Sequence, residues 1–119
     1  MEKVYIIAEA GDNHNGDFNT ALKLVDVAKR AGADCVKFQT FVTEEIISKY
    51  AEMAEYQKKN TGKEESQFEM VKRLELSFDE FRKIKEYCDR VGIQFLSTPF
   101  DLKSVDFLNA VSYTHLRAH

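Results

Sequence analysis

Long apolar runs are missing from this sequence. The longest near its start, Val4 to Ala8, is far too short for a membrane span or a signal-peptide core, and Glu9 follows it at once. A general basic field is missing too. The net charge is -3 and the pI about 5.6, with no local basic patch to attract nucleic acid or an anionic membrane surface. Neither partner is expected, and the chain is expected to be cytoplasmic. Cysteine is scarce: Cys35 and Cys88 lie far apart, each in an apolar periodic segment and not in a C-x-x-C pair. That spacing points to two buried free thiols rather than a zinc site or a disulfide framework. The loop Gly11-Asp12-Asn13-His14-Asn15-Gly16 is neither a G-x-G-x-x-G fingerprint nor a P-loop, so dinucleotide and nucleoside triphosphate binding have no support.

What is present is a globular composition. Hydrophobic residues make up 44% of 119 positions, a length that suits one domain at roughly 100 to 200 residues each. Val4 to Ala8 reads as a buried strand followed by the Gly11 to Gly16 loop. Ala21, Leu24, Val25, Ala28 and Ala31 then recur at helical spacing, with Asp17 or Asn19 as N-cap and Gly32 as stop. Cys35 to Gln39 reads as a second strand, and the helix between the two is the crossover that parallel pairing requires.

A polar stretch from Thr43 to Ser66, with the turn signal Asn60-Thr61-Gly62-Lys63, reads as a long insertion carrying one short helix. It is either a substrate-facing loop or surface elaboration. Helix resumes near Ser66 through Leu74. Ser77-Phe78-Asp79-Glu80 is a capping box that opens another helix, with Phe78, Phe81, Ile84, Cys88 and Val91 on its apolar face and Gly92 as its stop. The strand Ile93 to Ser97 follows and ends at Thr98-Pro99-Phe100. Asp101 caps a last helix through Val105, Phe107 and Leu108. Strands alternating with amphipathic helices imply a parallel α/β sheet, either a barrel or doubly wound; periodicity does not choose between them.

The notable polar residues fall at the C-terminal ends of strands: Glu9 after the first, Lys37 and Gln39 on the second, Ser97 and Thr98 after the third. In both architectures ligands bind at that edge. Alternation puts Cys35, Lys37 and Gln39 on one face and Val36 and Phe38 on the other, toward the helices. A lysine turned away from the helices needs an anionic partner, which is either Glu9 or an anionic ligand. His14 admits two readings, a metal ligand or acid–base group and a hydrogen-bonding loop residue. Thr98 either binds a phosphate or caps the turn.

The motifs Ala8-Glu9-Ala10-Gly11-Asp12-Asn13-His14-Asn15-Gly16, Val36-Lys37-Phe38-Gln39-Thr40-Phe41 and Phe95-Leu96-Ser97-Thr98-Pro99-Phe100 together resemble the sialic acid synthase family. Ala54-Glu55-Tyr56-Gln57 and Phe100-Asp101 fit the same pattern, so the resemblance covers residues 4 to 111. It implies a truncated N-terminal portion of a (β/α)8 TIM barrel over residues 1–111, about three parallel strands with helices. In the complete family an antifreeze-like domain follows, in a domain-swapped homodimer.

The implied reaction joins phosphoenolpyruvate to the open-chain aldehyde of N-acetylmannosamine with water, giving N-acetylneuraminate and phosphate. By motif match, Lys37 holds phosphoenolpyruvate, Thr98 and Phe100 help form its pocket, Glu9 is the active-site carboxylate, and Gln39 and Asn60 contact the sugar. The resemblance also implies a Mn2+ or Mg2+ ion whose ligands come from strands outside this chain. A legionaminic acid or other nonulosonate synthase is the neighbouring reading. A non-catalytic sugar-phosphate-binding or surface-polysaccharide accessory protein is the reading from another class. Residues 112–119 match nothing in the family and are expected to be a foreign tail. Three strands of eight cannot close a barrel, so the chain alone is expected to lack activity.

Overall fold

Three short apolar runs meet as one sheet because each is followed by a helix that returns the chain to the same end. The computed structural model describes residues 4–47 and 66–111. Strands β1 (Ile7–Gly11), β2 (Cys35–Thr40) and β3 (Gln94–Pro99) are parallel and lie side by side in chain order. The helices are α1 (Phe18–Arg30), α2 (Thr43–Ile46), α3 (Gln67–Leu74), α4 (Phe78–Val91) and α5 (Leu102–Val111). Asn60 lies outside the described residues, as do most of the polar insertion and the segment 112–119.

The first strand begins later than the apolar run suggests. Asp34 and Cys35 donate their N–H groups to Ile6 O, and the Asp34 carboxylate accepts Ile6 N–H at 2.8 Å. Pairing with β2 thus begins at Ile6, and Val4 and Tyr5 precede it, exposed. At the other end Glu9, expected just past the strand, pairs inside it, opposite Lys37.

Asp17 caps α1 by accepting Asn19 N–H, and Ser77 caps α4 in the capping box read from the sequence. A second box, Ser66 with Glu69, opens α3. In α5 the apolar residues that mark the helix do not all turn inward: Val105 is exposed and Ser104 is buried. The Asp101 carboxylate accepts both Ser104 N–H and Ser104 Oγ–H. That cap turns Ser104 inward, leaving Ser104, Phe107 and Leu108 as the inner stripe.

The core sits on one face of the sheet. Val36, Phe38 and Phe95 from the strands pack with Ala21, Val25 and Ala28 of α1, Phe81, Ile84 and Cys88 of α4, and Phe107 and Leu108 of α5. Phe38, Phe81 and Phe95 form an aromatic trio with ring centroids 6.0 to 6.3 Å apart. Both cysteines are buried and free. Burial pushes both thiols up, Cys88 to about 12, which removes them as nucleophiles near neutral pH.

Candidate functional site

With the helices on the Val36 and Phe38 face, alternation turns Glu9, Lys37, Gln39 and Thr98 to the other. The register aligns them in two rows: Glu9 opposite Lys37 opposite Leu96, and Gln39 opposite Thr98. Lys37 Nζ lies 3.7 Å from Glu9 Oε1, and the two side chains keep 38% and 56% of their surface open. The lysine has therefore found its carboxylate partner while both remain accessible.

Gly11 pairs with Phe38 and borders both rows. The β1 ladder is irregular between Glu9 and Gly11, and Gly11 takes a left-handed φ of 56°, a conformation that favours glycine. A Cβ there would lie 3.5 Å from both Gln39 Nε2 and Glu9 Oε2, so Gly11 sits between the carboxylate and the amide. Nothing in the spacing of the sequence gave Gly11 this place; only its position after a strand marked it.

The next loops are braced together. Thr40 Oγ1 and Ser97 Oγ are 2.6 Å apart, and they lie on the helix-facing side. Ser97 is thus separated from Thr98, although the two are adjacent at the strand end. Phe100 donates its N–H to Thr40 O, and the Asp101 carboxylate accepts Val42 N–H at 2.8 Å. The Phe100 side chain is exposed beside this brace. Glu75 accepts both the N–H and the hydroxyl of Thr43, and Lys72 pairs with Glu44 at 2.9 Å, so α2 and α3 are pinned to each other.

His14 is buried. Its Nδ1 accepts Gly16 N–H at 2.9 Å, and its ring lies 6.1 Å from Phe38, centroid to centroid. The geometry agrees with the loop reading of this residue. Among the described residues no three His, Cys, Asp or Glu side chains converge as a metal cluster, and Glu9, on the open sheet face, pairs with Lys37. These residues do not by themselves fit a divalent cation, so no step below runs through one. No helix among the described residues is long and apolar enough to cross a membrane.

Chemically the group offers a cation for an anionic ligand, a carboxylate within reach of it, and two neutral hydrogen-bonding side chains on the same sheet face. Comparison with known proteins narrows this. A sequence profile described as the NeuB family matches residues 24–117. The chain is 51% identical over 109 residues to the N,N'-diacetyllegionaminic acid synthase of Campylobacter jejuni, covering 92% of this chain and 33% of that protein. It is 48% identical over 113 residues to the enzyme of the same name from Legionella pneumophila, covering 95% and 32%. The chain thus spans about a third of the length of these relatives. Among solved structures, the N-acetylneuraminic acid (sialic acid) synthetase of Leptospira borgpetersenii superposes with a TM-score of 0.72 at 34% identity, over 92% of this chain and 34% of that one.

Proposed function

Because the chain belongs to the NeuB family, and its three parallel strands with their helices are the N-terminal part of a sialic acid synthase barrel, we propose that it contributes to a nonulosonate synthase. The reaction joins phosphoenolpyruvate to the open-chain aldehyde of an N-acylated amino sugar. The observation that carries this reading is the open Glu9–Lys37 pair with Gln39 and Thr98 on the same sheet face.

In this reading Lys37 receives the anionic phosphoenolpyruvate, exchanging part of its contact with Glu9 for the ligand's carboxylate or phosphate. Thr98 and Phe100 complete that pocket, held by the Thr40 and Asp101 brace. Glu9 orients the reacting groups and exchanges a proton with them. Gln39 hydrogen-bonds the sugar, together with Asn60 from outside the described residues. The enol carbon attacks the aldehyde, water adds at the carbon bearing the phosphate ester, and phosphate leaves by C–O cleavage. We further propose that the full-length protein works as a homodimer in the cytoplasm.

The amino sugar is either N-acetylmannosamine or a 2,4-diacetamido sugar. The identity to two N,N'-diacetyllegionaminic acid synthases favours the second. The test is phosphate release from phosphoenolpyruvate by the full-length protein, with each sugar in turn and manganese present. Lys37→Met is expected to lower kcat/KM by roughly tenfold to a hundredfold, the effect of losing about 1.5 to 3 kcal/mol of hydrogen bonding to a charge. Its melting temperature is expected to stay nearly unchanged, since an exposed ion pair contributes at most about 1 kcal/mol. No release with either sugar would sink the synthase reading.

A further inference from the structure

His14 is a titratable side chain that the chemistry above leaves unused, and it is buried to 1% exposure in the middle of a polar loop. A loop imidazole ordinarily faces water, whereas this one is turned under its own loop and against Phe38. Phe38 lies on β2 between Lys37 and Gln39.

The loop itself is a chain of tight turns. Asn13 N–H binds Ala10 O, Asn15 N–H binds Asp12 O, Asp17 N–H binds His14 O, and Gly16 N–H binds His14 Nδ1. A ring nitrogen that accepts carries no proton, so the neutral ring is protonated on Nε2. Nε2 has no hydrogen-bond partner among the described residues. A buried donor without a partner is costly, so packing alone would be better served by an apolar residue. The acceptor at Nδ1 is what the imidazole adds.

We propose that His14 is a positioning residue: as a neutral, Nε2-protonated imidazole it seats the β1–α1 loop on Phe38, and so fixes Glu9 and Gly11 against Lys37 and Gln39. Its catalytic consequence rests on reading that group as a synthase site. Burial lowers the ring's affinity for a proton, against Asp12 and Asp17 of its own loop and Glu80 of α4, which raise it. β2 presents the uncharged Phe38 ring. Protonation sets an N–H at Nδ1 against the Gly16 N–H, donor facing donor. Folding favours the neutral ring, so its contribution is complete above the ordinary histidine pKa of 6.5. It is lost as the pH falls from there through the lower folded value.

The test uses the full-length protein labelled with 15N. Imidazole NMR is expected to find Nδ1 unprotonated and Nε2 protonated from about pH 8 to below about pH 6.5. When the ring finally titrates, the amide signals of Gly16, Gly11 and Glu9 shift with it. In kinetics, His14→Leu lowers kcat on the order of tenfold to a hundredfold, the cost of misplacing reacting groups by about 1 Å. His14→Asn, whose Oδ1 stands in for Nδ1 as acceptor, restores most of that rate and moves the acid limb of the pH profile downward. A ring protonated on Nδ1 at neutral pH overturns the proposal, as does a folded His14→Leu protein with unchanged rate and pH profile. If the Leu variant fails to fold, the tautomer and the Asn variant decide. If wild type turns over neither sugar, the synthase reading fails, while the NMR titration still shows whether His14 moves the end of β1.

Discussion

Gly16 and Gly32 carry nearly the same backbone angle, φ of 76° and 86°, yet they differ in what surrounds them. A Cβ on Gly16 would fall 2.0 Å from Arg73 O, a backbone atom at the end of α3, whereas one on Gly32 meets nothing within 4 Å. The shared left-handed strain costs a non-glycine residue about 1 to 2 kcal/mol. Gly16→Ala adds to this a collision that only movement of the β1–α1 loop or of α3 can relieve. Gly32→Ala is therefore expected to lower unfolding free energy by about 1 kcal/mol and Gly16→Ala by about 3 or more, measured by denaturant titration of the full-length protein. Equal losses would show that the loop is not seated on α3. The sequence marks both glycines as turn or stop residues, but the Arg73 contact joins segments almost sixty positions apart and leaves no local signal.

Among the elements, helix starts were legible where an apolar period stood beside a cap. Ser77 with Glu80 precedes Phe78, Phe81 and Ile84, so cap and stripe agree. Ser66 and Glu69 make the same box ahead of Phe68, Val71 and Leu74, so the start near Ser66 is legible from the apolar period, and the box adds the cap. The inner stripe of α5 is not legible from its apolar residues alone, because it includes Ser104, which its bonds to Asp101 turn inward. That carboxylate also accepts Val42 N–H, so one side chain joins the turn after β2 to the turn after β3. Its removal should cost more than the loss of a cap alone. Ser77→Ala is expected to lose about 1 kcal/mol. Asp101→Ala is expected to lose roughly 2 to 3 kcal/mol, because charge-assisted bonds to two elements go together. Chemical unfolding of the two variants side by side measures the difference, and a loss for Asp101→Ala no larger than for Ser77→Ala would reduce it to an ordinary cap.

For the whole molecule, periodicity left a barrel and a doubly wound sheet open, because both alternate strands with amphipathic helices. The helix placement does not separate them, since α1, α4 and α5 on one face also fit half of a doubly wound sheet; the superposition on a sialic acid synthetase decides for the barrel. Glu9, Lys37, Gln39 and Thr98 could be grouped from the sequence because strand alternation and strand-end position are local properties. Gly11 and the Asp101 brace could not, because they depend on register between strands. The same arrangement leaves β1 paired on one side among the described residues, and Val4, Tyr5, Ile6 and Ile7 are exposed, as is Val27 of α1. A groove of about 180 Å³ lies between β1 and α1, lined by Ala8, Ala10, Leu24, Val27 and Val36 among others. An open strand edge flanked by apolar side chains is a template for another chain. The 119-residue chain studied alone is therefore expected to self-associate as its concentration rises, measured by sedimentation velocity. Val27→Lys places a charge in the contact and should weaken association roughly tenfold, from about 1.5 kcal/mol of lost valine burial. The same charge at exposed Asn109 of α5 should leave association unchanged. Equal effects from both substitutions would mean that net charge, and not the open β1 edge, governs association.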